Sequence, residues 1–377
     1  MKSLKVQATV AVAAAASLLL AACSSNGDGG KASEGAKSSC VTEAQGALKA
    51  AQEEATLKVT PKKLDASGAS GKTVYLIIPA AVTFWNDASA GLKEAASAVG
   101  MKARTLNANA SLPNLTAAFS QALAAGADGI IVGAFPPAAY ANQLAEAKKA
   151  GIPVISSMES TPGSPHVDGV STLIGVDFPN LGKVLAAQML NETSCKLSAL
   201  VPYAAGQPQL KSVVKAITST TKDLCGSACG VEGVTFPGAQ AATAVGPLAV
   251  SRYNANPKIN YFVSNSSNLG PLIETSLKQA QIDVPLTGIG GQQPDLETIV
   301  EGGLMNSNNI YAPGKFVGWT FADAFVRAFA GQSPEDVTLP TRLVTAETLK
   351  SSGLEPADIW PGYQDFAASF KAAWSVS

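Results

Sequence analysis

The sequence predicts an α/β protein of two lobes, each a parallel sheet covered by helices. Two observations carry this. Short unbroken runs of Val, Ile and Leu alternate with amphipathic stretches of helical period, the pattern of strands buried on both faces. The alternation also runs through four strands and then starts again near residue 197. A chain of 377 residues is long enough for two domains of ordinary size.

Residues 73–79 form the first apolar strand, and 84–100 a helix with Trp85, Ala88, Leu92, Ala95 and Val99 on one stripe. A strand at 101–106 follows, then a helix carrying Leu115, Phe119 and Leu123. The first unit closes with a strand at 129–133, a helix at 138–150 and a strand at 153–157. The second unit has strands at 197–202, 231–236, 261–264 and 285–289, with helices near 209–221, 240–254, 269–280 and 294–301. Each unit is Rossmann-like. Ligands of such sheets bind beyond the carboxyl ends of the strands, so two lobes can present those ends to one cleft.

The start of the chain has another purpose. Its apolar run from 6 to 22 includes Gln7, is mostly Ala, and barely reaches the ~17–25 residues of a membrane span. Lys2 and Lys5 before it and small Ala21 and Ala22 after it fit a secretory signal over 1–22. Leu20-Ala21-Ala22-Cys23 resembles the lipobox of bacterial lipoproteins, which implies lipid attachment at Cys23 and an extracytoplasmic protein anchored to the bacterial cell membrane. Residues 23–71 are then a tether with a short helix: 24–39 are polar and Gly/Ser-rich, 41–56 Ala/Glu/Lys-rich, and Pro61 stops the helix.

Cys40, Cys195, Cys225 and Cys229 remain, an even number suited to disulfides in an oxidising compartment. Cys225 and Cys229 can close a small local ring, leaving Cys40 for Cys195, and this pairing is favoured. Alternatively Cys195 and Cys229, each two residues before an apolar strand, bridge neighbouring strand starts.

The charge balance of 27 basic and 28 acidic side chains, with two of the basic ones in the signal, contains no basic block and argues against a nucleic-acid partner. Ala66 to Thr73 ends like a phosphate-binding loop but lacks the first glycine and precedes a strand rather than following one. Gly288-Ile-Gly290-Gly-Gln-Gln293 lacks the third glycine of a dinucleotide fingerprint. The lone His166 leaves no convincing triad or zinc site, so no catalytic residue, metal or cofactor is expected. An extracytoplasmic enzyme would have to use Glu159 and Asp177.

The residues after the strands are aromatic or amide instead. The candidate ligand set is Phe84, Trp85, Asn86, Phe135, Met158, Glu159, Tyr203, Asn265, Gln292 and Gln293. Aromatic faces stack on the C–H faces of sugars, and amides hydrogen-bond hydroxyls in both directions.

Four stretches now carry a resemblance. They are Phe84-Trp85, residues 124–131 (Ala-Ala-Gly-Ala-Asp-Gly-Ile-Ile), residues 147–155 (Ala-Lys-Lys-Ala-Gly-Ile-Pro-Val-Ile), and Ile174-Gly-Val-Asp177 with Gly182. In this order and spacing the chain, from about Lys72 to Leu349, resembles the type I periplasmic solute-binding family, the ribose- and galactose-binding branch that serves ABC importers. The resemblance implies a hinge of three crossings near Asp177, Ala312 and Thr341. Lobe one would hold 72–177 and 313–341, and lobe two 178–312 and 342–377. It also implies a monomer that captures a small solute and meets an ABC permease with a cytoplasmic ATPase, touching the membrane only through its lipid. The same pocket would serve a ligand sensor partnering a membrane receptor. Phe84 and Trp85 match the family's stacking aromatics and Asn265 its lobe-two asparagine. Met158-Glu159 stands in place of the family's sugar-binding Asp-Arg, Gly290 in place of its aspartate and Ala312 in place of its hinge glutamine, which implies a less hydroxylated or partly apolar solute.

Overall fold

The computed structural model describes residues 29–52, 57, 63–266 and 269–376. The signal, Cys23 and Pro61 lie outside the described residues.

In chain order the strands are β1 Thr73–Ile78, β2 Lys102–Asn107, β3 Gly129–Gly133, β4 Val154–Ser157, β5 Thr172–Gly175, β6 Ser198–Ala204, β7 Gly230–Phe236, β8 Tyr261–Ser264, β9 Leu286–Ile289, β10 Met305–Tyr311, β11 Val337–Thr338 and β12 Thr341–Thr345. They form two six-stranded sheets. The first has the order β11-β5-β4-β3-β1-β2 and is wholly parallel. The second runs β12-β10-β9-β8-β6-β7, with only β12 antiparallel to its neighbour. In each sheet the order reverses at the first strand of the lobe, β1 or β6, which puts the ligand crevice of a doubly wound sheet at that strand's carboxyl end.

The apolar runs behave as their composition requires: every residue of β3, β4, β8 and β9 is buried. β10 is different. It reads Met-Asn-Ser-Asn-Asn-Ile-Tyr, yet Ser307, Asn308 and Asn309 are buried. Side-chain pairing makes the first two tolerable, because Ser307 shares a 2.8 Å hydrogen bond with Thr287 and Asn308 accepts one of 2.9 Å from the Gly291 amide, whereas the Asn309 side-chain oxygen is buried without a partner among the described residues.

Helices Thr83–Ala98 and Gly314–Phe329 pack together in the first lobe at very close range. A Cβ on Gly318 would stand 2.2 Å from the Ala88 carbonyl, and one on Gly91 2.2 Å from that of Lys315. Only glycine permits this approach.

The chain passes between the lobes at three places. After β5 it enters helix Phe178–Glu192, which packs in the second lobe; after β10 it returns through Ala312 to helix Gly314–Phe329; after β11 it goes back to β12. The crossings are bonded side by side. Leu339 N–H donates to the Gly175 carbonyl at 2.7 Å, and Ala312 N–H to that of Pro340 at 2.9 Å.

Two sequence expectations need correcting. Within the polar stretch 24–39, residues 29–39 are helical, as the first part of helix Gly29–Gln52. Its second half is docked on helix Phe178–Glu192 through Cys40, Ala44 and Leu48, and the helix propagates from that anchored part through 29–39 despite three glycines and three serines there. Disulfides join Cys40 to Cys195 and Cys225 to Cys229, the local-ring pairing.

Nor does all of 342–377 belong to the second lobe. Helix Ala346–Ser352 lies there against Gln293–Glu301, but helix Phe366–Ala373 crosses back to the first lobe. There Trp374 stacks on Trp319 at 5.5 Å and donates its indole N–H to Asp323 at 2.8 Å, while Phe366 meets Phe316 edge-on. Burying these rings outweighs the pull of chain proximity. Residues 353–365 form a strap between the lobes, held at Ile359, whose carbonyl accepts from Arg342 of β12, and at Pro361, whose carbonyl accepts from Leu57 N–H at 3.0 Å.

Candidate functional site

Helix Thr83–Ala98 begins just beyond the carboxyl end of β1, so its first turn delivers Phe84 and Trp85 to the sheet's edge. The two rings meet edge to face, 5.2 Å apart. Trp85 lies over the end of β3, where a Cβ on Gly133 would fall 2.5 Å from the indole. Phe84 reaches across the lobes instead, meeting Tyr311 at the end of β10 at 6.3 Å and 78°. Tyr311 in turn covers Gly290, whose positive φ of 67° and missing Cβ let the ring lie on the turn after β9.

Strand ends in the first lobe carry backbone strain. Ala134 after β3 and Met158 after β4 both have left-handed φ, 52° and 57°. Such residues cost on the order of 1 kcal/mol and persist where the surroundings over-determine them, commonly at binding sites. Hydrogen bonds fix them here: Ala134 N–H donates to the Ser157 carbonyl at 2.7 Å and Met158 N–H to that of Ile174 at 3.0 Å.

Glu159 follows, 6 % exposed. Burial raises its carboxyl above the usual range, against the opposing hydrogen bond it accepts from the Ser160 hydroxyl. Asp177 has a different task. It is the N-cap of helix Phe178–Glu192, accepting from Asn180 N–H at 3.0 Å at the first crossing. His166 lies with Asp336, 2.9 Å from its carboxylate, on an exposed part of the first lobe. Among the described residues no group of His, Cys, Asp and Glu is arranged to hold a metal, and no helix is long and apolar enough to cross a membrane.

The remaining sequence candidates divide. Phe84, Gln292 and Gln293 line one crevice between the lobes, beside Tyr311 and Ala312. Gln292 caps helix Gln293–Glu301 in a reciprocal box with Asp295, and its amide donates to the Gly290 carbonyl at 3.2 Å. The Gln293 amide is turned along the same helix to Glu297 at 3.1 Å. Asn265 is 1 % exposed and ties the end of β8 to the Leu210 carbonyl at 3.0 Å. Phe135 packs into the first lobe's core with Tyr140 and Leu144, and Asn86 points to solvent. Tyr203, within β6, is half-buried.

Sequence reasoning missed three groups at this crevice: Tyr311, Asp87 and Trp360. Tyr311 closes a strand too polar to be recognised as one. Asp87, four residues into helix Thr83–Ala98, had a helical-face signal that the neighbouring aromatics overshadowed. Trp360 had none, because nothing local says that the strap returns between the lobes.

With this geometry in view, residues 74–333 match the family described as periplasmic binding protein domain. No curated protein sequence matches the chain. Solved structures do, at low identity. An ABC sugar transporter subunit from Rhodobacter sphaeroides 2.4.1 superposes with a TM-score of 0.65 at 16% identity, covering 74% of this chain and 99% of its own. A solute-binding protein of Burkholderia graminis C4D1M in complex with D-arabinose gives 0.67 at 19%, covering 75% and 98%. The 5-methylthioribose transporter solute-binding protein of Thermotoga lettingae TMO, with that sugar bound, gives 0.66 at 13%, covering 83% and 99%. Two doubly wound lobes, three bonded crossings and the match over most of its length place this chain in the periplasmic binding protein domain family.

Proposed function

We propose that the protein captures a small sugar-like or polyol-like solute between its lobes and presents it to an ABC importer. The observation that carries this is the contact of Phe84 from the first lobe with Tyr311 from the second, at strand ends that face one another beside bonded crossings. An aromatic pair shared by two lobes forms a complete stacking surface only when the lobes are closed, which couples solute capture to hinge motion. Solved structures of this fold with D-arabinose, myo-inositol and 5-methylthioribose bound support the solute class.

The hinge is assigned to Asp177, Ala312 and Thr341, and the candidate ligand groups to Phe84, Trp85, Met158, Glu159, Tyr203 and Tyr311. Glu159 serves as a buried polar group facing solute rather than as an acid catalyst, since Asp177 is committed to capping a helix. The chain is held outside the cell membrane by lipid on Cys23 and acts as a monomer. Thermal-shift screening against sugars, polyols and nucleosides tests the reading. A solute at ~100 times its dissociation constant adds ~2.7 kcal/mol of stability, and the absence of any shift across the sugars and polyols sinks it. Cys23→Ser tests the anchor: the variant should accumulate as an unlipidated precursor and leave the detergent phase.

A further inference from the structure

The inter-lobe crevice has a volume of about 140 Å³, room for about four or five heavy atoms at ~30 Å³ each. One side is Phe84 and Tyr311, the aromatic pair of the cleft. The other side is the strap, through Leu354, Ile359 and Trp360, of which Trp360 is only 2 % exposed. The strap lies beyond residues 74–333, the part that matches the family.

The groups able to bond a hydroxyl lie at the rim, Thr83 and Asp87, and the crevice behind them is mostly apolar. The Gln292 amide donates to backbone carbonyls and its side chain caps a helix. A hydroxyl placed against the apolar walls, Leu296, Ile310, Leu354, Ile359 and Trp360, gives up water and gains no equal partner, whereas each methylene gains roughly fourfold in affinity. The one charge at the rim is Asp87, a carboxylate partly desolvated by its surroundings, with no hydrogen-bond or ion-pair partner among the described residues. It repels an anion.

We propose that this crevice is a specificity subsite that receives an apolar, uncharged substituent of about four heavy atoms carried by the sugar or polyol. This inference rests on the solute-binding reading and narrows it: the solute is an alkylated or thioalkylated sugar derivative rather than a free sugar or a sugar acid or phosphate.

Calorimetric titration of the mature protein tests it in three arms. The first uses free arabinose, ribose and tagatose; the second their n-butyl glycosides; the third the matched 3-carboxypropyl glycosides. At least one butyl glycoside should bind tenfold or more tighter than its parent sugar, and its carboxypropyl counterpart no tighter than the parent. Leu354→Phe, which fills the crevice from a half-exposed position, should cut the butyl-to-parent ratio below twofold. Asp87→Asn, at an exposed position, should bring the carboxypropyl form up toward the butyl form. Equal affinity of butyl and parent sugars overturns the subsite while leaving solute binding intact. No binding in any arm overturns the solute-binding reading and the subsite with it.

Discussion

Gly318→Ala tests the close helix crossing beneath the aromatic pair. The added Cβ would stand 2.2 Å from the Ala88 carbonyl oxygen and 2.4 Å from the Leu92 nitrogen, both backbone atoms that no rotamer change can move. Helices Thr83–Ala98 and Gly314–Phe329 must therefore part by about 1 Å, since their spacing is set by the side chains at the contact. Overpacking of this kind costs ~1–3 kcal/mol. The clash is with backbone, so the cost sits at the upper end of that range, and after alanine returns ~1 kcal/mol of helix propensity the net loss is ~2 kcal/mol. That corresponds to a melting temperature lower by roughly 4–8 °C in a domain of this size. Differential scanning calorimetry measures it. Gly46→Ala is the control: it lies mid-helix with no atom within 4 Å of the added Cβ, and should be neutral or slightly stabilising. The displacement also moves the first turn that carries Phe84, so solute affinity should fall with stability. If Gly318→Ala melts at or above the parent temperature, the glycines are not what sets the helix spacing and the argument fails.

Phe84→Ala removes the inter-lobe ring contact and should weaken solute binding by about tenfold or more, the ~1–3 kcal/mol of a lost stacking anchor, and because the ring is buried it should also lower the unliganded melting temperature; normal binding would show that the ring is only core. Glu159→Gln should stabilise the protein at neutral pH. The folded-state pKa is raised above 4.5 by burial, so ionisation costs stability that is lost as pH climbs from about 4.5 through the folded value. Below about 4.5 both states hold the proton, and the variant's advantage should vanish. Melting curves from pH 4 to 8 that run parallel for the two proteins would refute this. Alkylation of the exported protein without reductant should label none of Cys40, Cys195, Cys225 and Cys229, and peptide mapping should recover the 40–195 and 225–229 links.

What the sequence made legible follows from where burial is written in residue type. β1, β3, β8 and β9 are Val/Ile/Leu/Phe runs or close to it, and hydropathy finds them within a residue or two. β10 hides because its buried Ser307 and Asn308 are compensated by partners on neighbouring segments, information that a one-dimensional reading lacks. Phe84 and Trp85 were visible because they follow a recognisable strand. Tyr311 followed an unrecognised one and was lost with it. Asn265 shows the converse. Its position after β8 is as expected, yet the amide turns inward to Leu210, because side-chain direction at a strand end depends on which helix happens to be within reach. The strap was beyond reach for a related reason. Phe366, Phe370 and Trp374 announce a buried helix face, but only Phe316 and Trp319, about 50 residues earlier, decide which lobe buries it.

The disulfide from Cys40 to Cys195 has a mechanical consequence. Helix Gly29–Gln52 is riveted to the second lobe, so any force or restraint applied to the chain ahead of residue 29 is transmitted to that lobe alone. With the hinge motion proposed above, the first lobe would be the swinging arm and the second the fixed frame. A protein gripped at its midpoint, or through a loose leash, would rotate as a whole each time it opened. Gripped through one half, it keeps that half in constant register with its surroundings and lets the other half do all of the travelling.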